Sequence, residues 1–167
     1  VGEVQNTGDV AVRDVFISII LYNVGGGVLE SSEEKILLDV LLVGRKAPFT
    51  YTASEENSPY VHSYEVSVSS FDPSSDKPLG LVILSSNFTD AGYVVIARTV
   101  MDDIKNVGSG IAIAVKVVAT FYNGPGGTGS VVGVSAGVSI PVSLNPQAVG
   151  SFTIVQDITG RQASFVS

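Results

Sequence analysis

The sequence predicts an all-β protein built from two tandem immunoglobulin-like antiparallel β-sandwich domains. Three observations predict this fold. Apolar and polar residues alternate with the period of strands, Gly- and Asn-rich turns separate the alternating segments, and several motifs recur at an offset of 100 residues. The 167 residues are enough for one domain or for two small ones, so two copies of one module fit the length.

The duplication rests on short motifs that recur in the same order. The pairs are Gln5–Gly8 with Lys105–Gly108, Leu21–Asn23 with Phe121–Asn123, and Gly26-Gly27 with Gly126-Gly127. Several matches at one offset are hard to obtain by chance. We therefore predict a first domain at 1–76 and a second at 77–167.

The first copy opens with a strong strand pattern. Val15, Ile17, Ile19 and Leu21 alternate with more polar residues, so the strand should turn one face to a core. The Asn23–Gly27 segment then predicts a hairpin turn, since glycine supplies positive φ. Further strands are predicted at Lys35–Leu42, Phe49–Ala53 and Ser63–Ser69. Glu30–Leu38 fits either a short helix or a polar connection.

The second copy follows a linker that is rich in Pro, Ser and charge, Asp72–Pro78. Its predicted strands are Leu81–Ser85, Tyr93–Thr99, Val115–Tyr122, Val131–Leu144, Phe152–Gln156 and a short Ala163–Val166. The first copy has no counterpart of Leu81–Ser85 ahead of its own Asn motif. We therefore expect the first sandwich to lack its opening strands and the second to end early.

The charge is unevenly distributed along the chain. Residues 1–78 contain 12 acidic and 5 basic side chains (net −7), whereas residues 79–167 contain 4 of each. No charged residue occurs between Val117 and Gln156. This run fits either a hydroxyl-rich solvated surface or a face that is buried against another subunit. The overall charge of −7 argues against binding nucleic acid, which requires a basic surface.

Composition limits the class of protein further. The mean hydropathy is +0.40, but Gly, Ser, Asn or Asp interrupts every apolar stretch before it reaches the ~18 residues of a membrane helix. We therefore expect a chain that does not span a membrane. The absence of Cys excludes disulfides and thiolate metal sites. No signal peptide is visible, and the sequence starts within a motif, as a processed or trimmed terminus would.

No catalytic signature is present. His62 is the only histidine, and a hydrolase triad would need it beside an activated Ser and a carboxylate. One His and no Cys also make a zinc site a poor fit. The glycines at 25–27 and 124–129 lack the Lys-Ser/Thr of a phosphate loop and fit hairpin turns instead. We expect no enzyme activity and no cofactor.

Calcium is the one metal worth considering, because it takes oxygen ligands from loop carboxylates. The candidate ligands are Asp72, Asp76, Asp90, Asp102 and Asp103, although turn-forming or solubilising roles explain these residues as well. Asn87-Phe88-Thr89 fits an N-glycosylation acceptor if the protein is exported.

The motifs together resemble the FxLYD family of small immunoglobulin-like sandwich modules, which are common on prokaryotic cell surfaces. In the first copy Val1–Gly8, Ile19–Asn23 and the turn from Leu42 to Phe49 carry the resemblance. In the second copy Ile104–Gly108, Phe121–Asn123 and Leu144–Pro146 carry it. The family Phe is replaced by Ile19 or Ala119, and the family Asp by Asn23 or Asn123. The resemblance implies a fold and a surface location, and it implies no catalytic residue.

Two functions fit these expectations. The first is a non-enzymatic extracellular building block of a cell surface or filament, which assembles head-to-tail with copies of itself by β-strand addition. The alternative is a cell-surface adhesion module whose loops bind a protein or a carbohydrate, with Tyr51, Tyr60 and Tyr64 as candidate contacts.

Overall fold

The protein is all-β. The computed structural model describes residues 1–75, 80–84, 87–90, 97–124 and 129–157, and no α-helix occurs among them. The chain divides into two compact units. Unit 1 comprises Val1–Lys77 with Ser130–Val132, and unit 2 comprises Pro78–Gly129 with Gly133–Ser167.

Unit 1 begins with six strands. They are β1 (Gly2–Gln5), β2 (Ala11–Tyr22), β3 (Val28–Lys35), β4 (Val40–Leu41), β5 (Lys46–Phe49) and β6 (Ser63–Ser74), with one 3-10 turn at Ser58–Tyr60. β1 and β5 form a two-stranded antiparallel sheet. β2 is the centre of the second sheet, because β3 and β4 pair with one of its edges and β6 pairs with the other.

The alternation predicted for β2 is confirmed. Its inward side chains are buried and form a core with residues from the neighbouring strands: Val12, Val15, Ile17, Ile19, Leu21, Ile36, Leu41, Ala47 and Phe49. Together the two sheets and this shared core give unit 1 a sandwich-like architecture.

The remaining strands follow in the rest of the chain. They are β7 (Leu81–Ile83), β8 (Asn87–Asp90), β9 (Ala97–Asn106), β10 (Lys116–Tyr122), β11 (Val131–Val138) and β12 (Val149–Asp157). β9 pairs with β12 on one edge and with β7 and β8 on the other. β10 pairs with β11. The core of unit 2 consists of Ile104, Ala112, Val115, Val117, Leu144, Phe152 and Ile154.

Two strand predictions in the first copy were wrong in position. The segment predicted as one strand, Lys35–Leu42, contains only the last residue of β3 and the two residues of β4. Most of β3 lies earlier, because the tight turn after Tyr22 brings Val28 back opposite it. This pairing also excludes the short helix considered for Glu30–Leu38. The strand expected at Phe49–Ala53 likewise ends at Phe49, whose ring packs against Gly2 of β1.

The linker prediction also needs correction at its start. Asp72, Pro73 and Ser74 belong to β6 and pair with Arg13, Val12 and Ala11 of β2. Of the later predictions, the β7 region is confirmed over Leu81–Ile83, and Phe152–Gln156 lies inside β12. The predicted Ala163–Val166 strand and the first part of Tyr93–Thr99 lie outside the described residues.

Candidate functional site

Unit 1 contains an open apolar groove of about 370 Å³. Its walls come from β1, from the loop that follows β1, and from β2, β4 and β6. The lining residues are Val4, Gln5, Asn6, Thr7, Gly8, Asp9, Val10, Val12, Val15, Leu41, Val68 and Phe71. Most of these side chains are apolar, and Asp9 is the one ionisable group among them. The groove therefore suits an uncharged occupant.

The groove lies beside the edge of β1 to which the described residues supply no strand. Within the described residues β1 pairs only with β5, and no residue of β5 lines the groove. The groove is therefore on the side of β1 that faces away from β5. An unpaired strand edge beside an apolar floor can accept a further strand, because the edge offers backbone N–H and C=O groups and the floor offers burial.

β6 forms the opposite wall and exposes an apolar row. Tyr64, Val66 and Val68 pair with Leu21, Ile19 and Ile17 of β2, so they share the face that these buried residues present to the core. Yet Val68 is 45% exposed and Tyr64 is 72% exposed. The core-facing side of this sheet is therefore wider than the β1–β5 sheet that covers it.

Unit 2 shows how the equivalent edge is filled. There β7 runs antiparallel along β9, with Leu81 opposite Asn106 and Ile83 opposite Ile104. The backbone N–H of Val107 donates to the carbonyl of Gly80 at 2.7 Å, and Leu81 packs against the core of unit 2. In unit 1 the corresponding strand, β1, has no such neighbour among the described residues.

The two edges are comparable because an asparagine makes the same set of hydrogen bonds beside each of them; this set, with the backbone that it holds, is called the asparagine frame. Asn6 Nδ2 donates to the carbonyls of Val10 (2.8 Å) and Leu41 (3.0 Å), and its Oδ1 accepts from Gly8 N–H (3.0 Å). Asn106 makes the equivalent bonds, at 2.8 Å to Gly110, 2.9 Å to Leu144 and 2.9 Å from Gly108.

The turn that packs against each asparagine is also the same. Gly44 N–H donates to the carbonyl of Asn6 at 2.8 Å, and Gln147 N–H donates to that of Asn106 at 2.7 Å. Both residues have positive φ, 74° for Gly44 and 64° for Gln147. The backbone around the groove thus matches the backbone around the β7 site.

A second polar cluster holds the loop after β5 onto β3. The carboxylate of Glu30 accepts hydrogen bonds from the Tyr51 hydroxyl, from Asn57 Nδ2 (3.2 Å) and from Ser54 Oγ (2.9 Å). The bond from Tyr51 and those from Asn57 and Ser54 lower the pKa of Glu30 to about 2. Burial and the Glu30 bond raise the pKa of Tyr51 to about 12. Tyr51 is therefore engaged inside unit 1, although the sequence placed it among the loop contacts.

The candidate calcium ligands are spread over several elements. Asp72 is exposed on β6, Asp90 ends β8, and Asp76 lies outside the described residues. Asp102 and Asp103 are neighbours on β9, so their side chains point to opposite faces. Asp102 is buried, whereas Asp103 accepts a bond from Ser151 Oγ at 2.7 Å. Within the described ranges no group of three or more His, Cys, Asp or Glu could hold a metal ion.

The other singled-out residues lie apart from the groove. Asn87 starts β8 and pairs with Met101. His62 is exposed, and its backbone N–H donates to the carbonyl of Tyr22 at 2.8 Å. The hairpin turn at Gly25–Gly27 is confirmed, because Asn23 Oδ1 accepts from Gly25 and Gly27 N–H, both at 2.9 Å. No helix in the described part of the chain is long and apolar enough to cross a membrane.

Sequence reasoning did not identify the groove walls. Val68 and Phe71 were not singled out, although Tyr64, Val66 and Val68 alternate with polar residues along one strand. That alternation predicts an apolar face, and the pairing with β2 then decides that the face lies beside the core. Comparison of the chain with models of protein families, with curated proteins and with solved structures finds no match.

Proposed function

We propose that this protein is a non-enzymatic extracellular building block of a cell surface or filament. Copies assemble head-to-tail when a strand of one copy enters the groove of unit 1 in the next. One observation carries the proposal. Among the described residues no strand pairs with β1 on the side of the apolar groove, whereas β7 fills the equivalent edge in unit 2. The FxLYD resemblance and the surface location that it implies are part of the same proposal.

The occupant is a strand from a second copy, and the charge distribution supports this choice. Residues 1–78 carry a net charge of −7 and residues 79–167 carry a net charge of zero, so contacts between unlike units avoid the repulsion between two acidic ones.

Contacts between two different surfaces are head-to-tail, and they propagate into a fibre unless they close into a ring. Electron microscopy and light scattering of the full chain test this. We expect concentration-dependent filaments or rings of the unmodified protein. A chain that stays monomeric at high concentration would contradict the proposal.

A matched pair of variants tests whether the groove is responsible. Val68→Asp places a charge on the groove wall and should abolish assembly, because an incoming strand would have to bury the carboxylate. Val24→Asp makes the same chemical change in the exposed hairpin turn and should leave assembly intact. Circular dichroism checks that both variants remain folded. Equal assembly of the two variants would exclude the groove as the contact.

The adhesion alternative keeps one supporting observation. Tyr60 and Tyr64 are both largely exposed, and amphipathic aromatic side chains are enriched at binding surfaces. A glycan array with the unmodified chain and with Tyr60→Ser/Tyr64→Ser tests it. Binding that the double substitution abolishes would favour adhesion.

A further inference from the structure

We infer that the strand entering the groove of unit 1 runs antiparallel to β1 and begins with glycine followed by an apolar residue, whose side chain lies opposite Asn6. This inference rests on the proposed strand addition, and it adds the direction, register and chemistry of the incoming segment. The model for this strand is β7 together with Gly80, which precedes it.

The register follows from the matched frames. In unit 2, Leu81, Val82 and Ile83 lie opposite Asn106, Lys105 and Ile104. The equivalent positions in unit 1 are Asn6, Gln5 and Val4, and all three line the groove. The residues opposite Asn6 and Val4 would point into the groove, and the residue between them would point outward, because side chains alternate along a strand.

The apolar requirement follows from the groove walls. Val4, Val68 and Phe71 surround the space that an inward side chain would enter. In unit 2 Leu81 packs against the core, whereas Val82 and Ile83 are both about half exposed, so the requirement for an apolar side chain applies to the first inward position. A carboxylate at the first inward position would lose its hydration without gaining a charged partner, which is strongly unfavourable.

The glycine requirement follows from a close approach of two backbones. A Cβ on Gly80 would lie 2.7 Å from the backbone nitrogen of Gly108, and Gly80 has a positive φ of 69°. Unit 1 has Gly8 at the position of Gly108, held by the same asparagine bond. The first residue of the incoming pattern must therefore be glycine, both for space and for conformation.

A backbone donor in unit 1 is also in place for this strand. In unit 2 the N–H of Val107 donates to the carbonyl of Gly80. The N–H of Thr7 occupies the same point of the frame in unit 1 and has no hydrogen-bond partner among the described residues. The glycine carbonyl of an incoming strand would accept this hydrogen bond.

A synthetic peptide with the sequence of Gly80–Ser85 provides a direct test. Added to isotopically labelled full-length chain below its assembly concentration, it should shift the NMR signals of Thr7, Gly8 and Val68. Peptides with Leu81→Asp or with Gly80→Val should bind about tenfold more weakly or worse. No binding, binding away from these residues, or equal binding of the three peptides would overturn the inference.

A second pair of variants tests the close approach in the intact chain. Gly8→Val should weaken peptide binding by about tenfold or more, because its side chain would occupy the path of the incoming glycine. Gly25→Val is the control, because Gly25 also donates its N–H to an asparagine Oδ1 two residues earlier and lies away from the groove. Unchanged peptide binding to a folded Gly8→Val chain would contradict the inferred pose.

The two levels of the proposal fail separately. If Val68→Asp abolishes the filaments but the peptide never inhibits them, strand addition stands and this register is wrong. If the peptide binds the groove but the chain never assembles, the register stands and the proposed structural function is wrong.

Discussion

The side-chain amide of Asn106 donates a 2.9 Å hydrogen bond to the carbonyl of Leu144, and both residues are fully buried. Replacing Asn106 with Ala would leave this carbonyl with only the backbone N–H of Ala112 and would also remove the bonds to Gly110 and from Gly108, at a cost of about 2 kcal/mol. We expect Asn106→Ala to lower the free energy of unfolding by that amount in urea titrations. Asn6→Ala should behave alike, since it makes the same bonds in unit 1. A loss below about 0.5 kcal/mol in both variants would show that water replaces the amide.

The two turns beside the asparagines should respond to substitution with opposite signs. Gly44→Ala puts a Cβ on a residue with positive φ and should destabilise unit 1 by about 1 kcal/mol. Gln147→Gly removes the same strain from unit 2 and should stabilise it by up to about 1 kcal/mol. Thermal and urea unfolding of the two variants measure both effects. Changes of the same sign would show that the left-handed conformation is not what distinguishes these positions.

Low pH should weaken the attachment of the loop after β5 to β3. Because the pKa of Glu30 is lowered from its ordinary 4.5 to about 2 in the folded protein, its contribution to stability is complete above pH 4.5. It is lost as the pH falls towards 2, since protonation then favours the unfolded chain. Glu30→Gln should remove this part of the pH dependence. Glu56→Gln, in the exposed part of the same loop, is the matched control for the loss of one carboxylate.

The same cluster predicts an alkaline effect. The pKa of Tyr51 is raised to about 12, first by burial and then by the bond to Glu30. Its contribution is present below pH 10 and is lost as the pH rises through 12. Ultraviolet titration of the unmodified chain should show a transition near pH 12, in addition to the late ionisation of Tyr22, whose pKa is raised by the hydrogen bond to Glu65. Tyr51→Phe should remove the transition near pH 12, and its persistence in that variant would assign it to another tyrosine.

The loss of stability on truncating an apolar side chain of unit 2 should depend on how deeply that side chain is buried. Leu144 has no solvent-accessible surface, and Leu144→Ala should cost about 3 kcal/mol through lost contacts and a cavity. Ile113 is 76% exposed, and Ile113→Ala should change stability by less than about 0.5 kcal/mol. Chemical unfolding of both variants measures the difference. A large loss in Ile113→Ala alone would show that an assembled form covers this side chain.

The sequence predicted the local structure of individual strands better than it predicted which strands pair. The face of β2 that carries Ile17 and Ile19 follows from alternation alone, since a period of two leaves little choice. The position of β3 does not, because Glu33, Glu34 and Lys35 suit any exposed segment, and only the tight hairpin fixes them opposite β2. Local patterns specify which face is apolar, and the turns decide which strands meet.

The candidate site shows the same division. The recurrence of the motifs around Asn6 and Asn106 could be read from the sequence. The far wall of the groove could not, because Val68 is more than 60 residues away from Val4 and reaches the groove only through the pairing of β6 with β2. Nor do the motifs Asn6–Gly8 and Asn106–Gly108 reveal that each side chain joins its loop to a carbonyl of a distant strand.

The pairing of Ile83 with Ile104 also shows where a disulfide between the peptide and unit 1 could be introduced. The chain contains no cysteine, so a single thiol introduced at Val4 would be unique. A peptide with cysteine at the position of Ile83 would place its own thiol across from it, at the spacing of directly opposed residues in antiparallel strands. Oxidation would then fasten a chosen label or cargo to one defined place on each molecule.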